Sequence, residues 1–122
     1  MAISPYLAGQ LLKFARAVVD TFRDRANRQY PPASRPGQYP AKRTGNLRRF
    51  TESRPMSVAQ IAATGQVRVG HMERAFYGVI LEYDMDRKGL GAAVAEVIKT
   101  RVKGGKLPAG IRWTRTRDTL KG

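Results

Sequence analysis

The chain has 122 residues, of which 42% are hydrophobic, with no cysteine, one histidine and a formal charge of +14 at pH 7. That length supports one core of ordinary domain size plus appendages, and does not divide into two. The lack of cysteine excludes a disulfide framework and a thiolate metal site, and no stretch approaches the roughly 18 apolar residues of a membrane span.

Met1 to Phe14 carries no basic start, apolar run or small-residue cleavage site, so a secretory signal is not expected, and the absence of cysteine is compatible with a reducing cytoplasm. Charge by segment is more informative than its total. The net is +3 over residues 1–30, +5 over 31–54, −1 over 55–98 and +7 over 99–122. A nearly neutral middle flanked by basic segments points to appendages that touch something anionic.

Ser4 followed by Pro5 reads as an N-cap and first helical residue, because proline lacks the amide hydrogen that would be orphaned there. Behind it Leu7, Leu11, Phe14, Ala15, Val18 and Phe22 recur at three- and four-residue spacing, which predicts a long amphipathic helix to about Arg28 with that face on the domain's own sheet. From Tyr30 to Gly45 the prolines at 31, 32, 36 and 40, with Gly37 and Gly45, deny regular hydrogen bonding and predict a long extended arm.

Leu47 to Arg54 reads as a short turn and then a strand. Ser57 to Thr64 and Gln66 to Gly70 read as two strands of a hairpin joined at Thr64-Gly65, with Val67 and Val69 inward and Arg68 outward. Ala75 to Tyr83 suits either a helical face or a buried strand by its spacing. Leu90, Val94, Val97, Ile98 and Val102 predict a second amphipathic helix that stops at Gly104-Gly105. Beyond it the chain is rich in proline, glycine and arginine, with Leu107, Ile111, Trp113 and Leu120 as its few apolar anchors, and order only on binding is expected.

Catalytic machinery is thin. His71 is the one histidine, so two-histidine metal sites are excluded, and it reads as a surface residue at a strand end. No Gly-x-Ser-x-Gly elbow is present, and Gly104-Gly105-Lys106 lacks the glycine and the hydroxyl residue that a phosphate-binding loop needs around it. Glu82, Asp84 and Asp86 beside Lys88 resemble the clustered carboxylates of magnesium nucleases, but they read better as solvated acids, or as partners for the basic arm or tail of an adjacent copy. Lys42, Arg43, Arg48, Arg49 and Arg54 form the densest basic stretch, and Arg112, Arg115 and Arg117 surround Trp113 in the tail. Guanidinium forks suit phosphate and carboxylate alike, so these are candidate DNA or partner contacts; aromatics do not interleave with them as in a single-strand stacking platform. Their alternative reading is a solvated surface that aids solubility.

Pro40-Ala41-Lys42-Arg43-Thr44-Gly45-Asn46-Leu47-Arg48-Arg49 resembles the proline, then Arg-Thr-Gly-x-Leu, segment of small tailed-bacteriophage proteins known as minor tail, neck, head-tail joining or tail-completion components. Tyr77-Gly78-Val79-Ile80-Leu81-Glu82-Tyr83 is similar to a second segment of that family, Tyr-Ala/Gly-x-x-x-Glu-Tyr/Phe, which precedes a C-terminal amphipathic helix. Order and spacing match across roughly residues 1–103. The chain departs from the pattern at Asp84-Met85, where the family commonly has Gly-Thr, and at Arg87-Lys88-Gly89-Leu90.

The resemblance favours the helical reading of 75–83. It implies an α+β fold: a long N-terminal helix and a C-terminal helix packed on a small, mainly antiparallel twisted sheet, with an extended Pro-rich arm and a basic C-terminal tail. Residues 1–103 would be a single domain with the arm at 30–46, and residues 104–122 the tail. The implied role is non-enzymatic and needs no cofactor and no metal: a structural virion protein at the head-tail junction, synthesised in the host bacterial cytoplasm and forming a ring, with sixfold symmetry favoured, between the capsid portal complex and the tail. Its expected partners are further copies of itself, other neck, connector and tail proteins, and packaged double-stranded DNA in the lumen. Arg43, Thr44, Gly45, Leu47, Tyr77, Glu82 and Tyr83 are the docking residues so implied, with purely local folding as their alternative role. Competing readings are a tail terminator or other tail-ring protein, and a sequence-tolerant nucleic-acid-binding protein.

Overall fold

A computed structural model of the chain describes residues 2–26, 37, 51–72, 75, 78, 79, 82, 88–102, 105, 107, 113, 114 and 120. The arm at 30–46, Gly37 excepted, and most of the tail lie outside the described residues.

Helix α1 runs Pro5–Ala26. It starts where the sequence places it: the Leu7 amide donates to Ser4 Oγ at 3.1 Å and the Ala8 amide to the Ser4 carbonyl at 2.9 Å. These two bonds satisfy donors that have no partner within the helix. Its buried stripe is Ala8, Leu12, Ala15, Ala17, Val18, Val19 and Phe22, so the helix is rolled slightly from the expected face, with Leu7, Leu11 and Phe14 half-buried along one flank.

Strands β1, Thr51–Arg54, and β2, Arg68–His71, form an antiparallel pair in the register Thr51↔His71, Glu52↔Gly70, Ser53↔Val69 and Arg54↔Arg68. Alternation along β1 buries Thr51 and Ser53 and leaves Glu52 and Arg54 half-buried on the opposite face. Across the register Val69 packs into the core and Arg68 is exposed, as the two-residue period requires.

The segment expected as the first hairpin strand is instead a helix, α2, Val58–Thr64, lying in the chain between the two strands. Ser57 is its N-cap, with Oγ accepting from the Gln60 amide at 3.2 Å, and Gly65 closes it in the left-handed region at φ 74°, its amide donating to the Ile61 carbonyl at 2.7 Å. Three alanines and a cap at either end outweigh a strand reading that rested on Thr64-Gly65 as a turn. The hairpin partner of β2 is therefore β1.

Gly78, Val79 and Glu82 are helical, which agrees with the helical reading of that segment at the described positions. Helix α3, Leu90–Arg101, follows and ends on Val102 in extended conformation, with Gly105 at φ 70° donating its amide to the Val102 carbonyl.

The fold is α+β, and α1 spans two apolar clusters formed by the described residues. Its first half meets α2 through Ala8, Leu12 and Ile61, and the Ile3 amide donates to the Ala62 carbonyl at 2.8 Å beside them. Its second half meets α3 and the sheet through Ala17, Val18, Phe22, Ala75, Ala93, Val94 and Val97. Each fully buried Phe, Ile or Val contributes on the order of 1.5 to 3 kcal/mol relative to an exposed position. Among the described residues no helix is long and apolar enough to cross a membrane.

Candidate functional site

Of the docking residues named from the sequence, Glu82 is the one that the structure describes. It sits in front of α3. Gly89, the N-cap of that helix, has no side chain to offer its free amides, and the Glu82 carboxylate takes that place: Leu90 N–H donates to Oε1 at 3.1 Å and Gly91 N–H to Oε2 at 3.3 Å. A negative group at a helix N-terminus is favoured both by these bonds and by the positive end of the helix dipole. A Cβ at position 89 would overlap this carboxylate, so glycine there makes room for the cap. Glu82 thus has a role inside the fold.

Arg54, a candidate DNA or partner contact, is held within its own strand end. Its Nη2 lies 2.5 Å from Glu52 Oε2 and its Nη1 donates to Met56 Sδ at 2.6 Å. Side-chain exposure of about a third on both Arg54 and Glu52 leaves the guanidinium edge accessible. Arg68 stands directly across from Arg54 in the register and is exposed, so two cations stand opposite each other on the outer face of the strand pair, with Glu52 paired to Arg54. Trp113, the tail aromatic, is 40% exposed.

Arg43, Thr44, Gly45, Leu47, Tyr77 and Tyr83 lie outside the described residues, as do Lys42, Arg48, Arg49, Arg112, Arg115, Arg117, Asp84 and Asp86. Among the described residues no group of three or more histidine, aspartate or glutamate side chains is placed to hold a metal ion.

Among the described residues, the most concentrated polar arrangement is one that sequence reading missed. His71 is not a surface residue: it is 2% exposed, at the inner end of β2. Its Nδ1 lies 2.7 Å from Thr51 Oγ1 on β1, and its ring is tilted against Phe22 of α1 at a centroid distance of 5.1 Å. Nε2 is buried with no hydrogen-bond partner, and burial lowers the imidazole pKa from 6.5 to about 4, so the ring is neutral at pH 7.

The same strand end is tied to two further elements. Arg23 of α1 donates from Nε at 3.1 Å and from Nη2 at 2.7 Å to the Thr51 carbonyl. The His71 carbonyl accepts from the amide of Leu120, whose side chain is buried and lies over Gly70; a Cβ on residue 70 would come within 3.0 Å of Leu120 Cγ. Gly70 was the one local signal for this close approach, and His71 carried none, since its partner is 20 residues away.

The chain matches no protein-family model, no curated protein and no solved structure.

Proposed function

We propose that this protein is a structural component of a tailed-phage neck, a ring subunit joining the capsid portal complex to the tail without catalysis. The observation that carries the reading is the α+β order of elements: a long N-terminal helix, an antiparallel strand pair and a final amphipathic helix, with the Arg-Thr-Gly-x-Leu segment before the first strand. This is the architecture that the resemblance implies.

The polar groups inside the body supply a second line of support. Arg23, Thr51, His71 and Glu82 are engaged in holding elements together, and the excess charge resides in the segments on either side of the neutral middle. A closed ring requires two different complementary patches on each subunit, and basic appendages on a compact body provide one of them.

The test is the native mass of nuclease-treated protein by light scattering after size exclusion, at moderate and at high salt. A discrete closed oligomer that persists in high salt supports the ring. A monomer that binds DNA with an affinity falling steeply with salt replaces this reading with that of a nucleic-acid-binding protein.

A further inference from the structure

The contact between Leu120 and β2 is small and the chain that leads to it is long. Leu120 forms a parallel bridge with Met72, donates its amide to the His71 carbonyl at 2.8 Å, and buries its side chain over Gly70 to 4% exposure. Between Val102, where α3 ends, and Leu120 lie 17 residues carrying five basic and one acidic side chain. Extended, such a segment reaches up to roughly 60 Å. A body of about 100 residues has a radius of gyration of only ~13 Å.

We infer that the Leu120 seat on β2 is an exchangeable contact between copies of this chain: in the assembled protein the leucine of one copy fills the seat over Gly70 of the next. The inference deepens the ring reading by naming a contact that would hold the ring. Three features favour a second copy as the occupant. The tether is long enough to pass over its own body and reach an adjacent one. Five basic side chains against one acidic one favour reach over collapse in a free segment. The seat recognises one apolar side chain and one amide, so nothing in it distinguishes the tail of its own copy from that of a neighbour. In an assembly that already holds copies side by side, the neighbour's tail is present at high effective concentration, and exchange adds buried surface without a new patch. It also pairs backbone groups at the His71–Met72 end of β2.

The natural chain has no cysteine, so introduced thiols report without background. Full-length Met72→Cys protein and full-length Leu120→Cys protein, one carrying a mass label, are mixed and treated with a thiol oxidant. Intact masses are then read without reductant. A disulfide between the two variants can form only between copies, and exchange predicts it in clear excess over both same-variant dimers. A double variant carrying both substitutions should give a ladder of linked chains. Only internally bridged monomers from the double variant, together with no mixed disulfide, overturn the exchange. If the double variant does not fold, the mixture of single variants decides alone.

Native mass of the unaltered protein separates this inference from the reading beneath it. A closed oligomer with no mixed disulfide leaves the ring and removes the exchange. A mixed disulfide in a chain that forms only dimers keeps the exchange and removes the ring. A monomer with no mixed disulfide removes both.

Discussion

Thr51 Oγ1 and His71 Nδ1 lie 2.7 Å apart across the antiparallel pair, with both side chains buried. Either group can donate, according to the tautomer, and in both cases the ring must stay neutral to avoid an uncompensated charge in a dry site.

Stability should therefore fall on mild acidification. The folded-state pKa of His71 is lowered to about 4 from 6.5, so the unfolded chain takes up a proton first. The contribution of the neutral ring is fully present above pH 6.5, is lost as pH falls from 6.5 towards 4, and is flat below that. The loss is about 2 kcal/mol by pH 5 and on the order of 3 kcal/mol in full. Denaturant titrations at pH 7.5, 6 and 5 read it. A His71→Gln variant should be less stable at pH 7.5 and should lose most of the slope between 6.5 and 5, before the carboxylates titrate. An equal slope in the variant would assign the effect elsewhere.

Phe22→Ala should destabilise the protein by on the order of 3 to 5 kcal/mol, since the ring is 1% exposed in the cluster that joins α1 to α3. The cavity would also open the face of His71 on which the ring is tilted. Water reaching the imidazole should raise its pKa, so the acid sensitivity of this variant should be smaller than that of the natural chain. Thermal melts at pH 7.5 and 5.5 measure both effects. A variant with a large stability loss and an unchanged pH slope would show that Phe22 fills space without shielding His71.

How much of this was legible in the sequence follows the range of each interaction. The start of α1 was readable because Ser4 and Pro5 act within one turn, and its stripe because burial repeats every three or four residues. α2 was missed although its caps are local. Seven residues with Ile61 as the single fully buried side chain offer too little periodicity to tell a helix from a strand. β1 was weakly marked because its inward residues are Thr51 and Ser53, polar groups that give no apolar alternation, and Thr51 enters the core through its hydrogen bond to His71. The burial of His71 and the seating of Leu120 were invisible, since each depends on a partner 20 or more residues away. Of the candidate site, Glu82 was picked out by its segment, but its partner amides follow a glycine cap that gives no side-chain signal.

Glu82 and Gly89 should behave as a coupled pair. Removing the carboxylate in Glu82→Ala leaves two amides at the start of α3 without their acceptor and should cost about 1 to 2 kcal/mol. Glu82→Gln, which keeps an acceptor but not the charge, should cost less. Gly89→Ala places a methyl group where the carboxylate sits and so should cost about as much as Glu82→Ala. The double variant should then be little worse than either single one, because the group displaced by the methyl is already gone. Denaturant midpoints of the four proteins close the cycle. Additive losses would mean that the methyl group disturbs something other than the cap.

The cap made by Glu82 changes how the proposed meeting of the acids from 82 to 86 with an adjacent copy is tested. Reversing Glu82 together with Asp86 would confound assembly with folding, because a cation at 82 faces the positive end of α3 and leaves its amides unmet. The informative variant reverses Asp84 and Asp86 and keeps Glu82. If these two carboxylates meet basic arms or tails of adjacent copies, the variant should show a lower native mass than the natural chain at moderate salt, with a melting temperature nearly unchanged. Glu82→Lys should do the reverse at first, lowering the melting temperature while the protein that remains folded still assembles. High salt should narrow the mass difference for the Asp84 and Asp86 variant, since exposed ion pairs are screened within about 10 Å at 0.1 M ionic strength and less above it. An assembly state identical to that of the natural chain at both salts would remove these acids from any contact between copies.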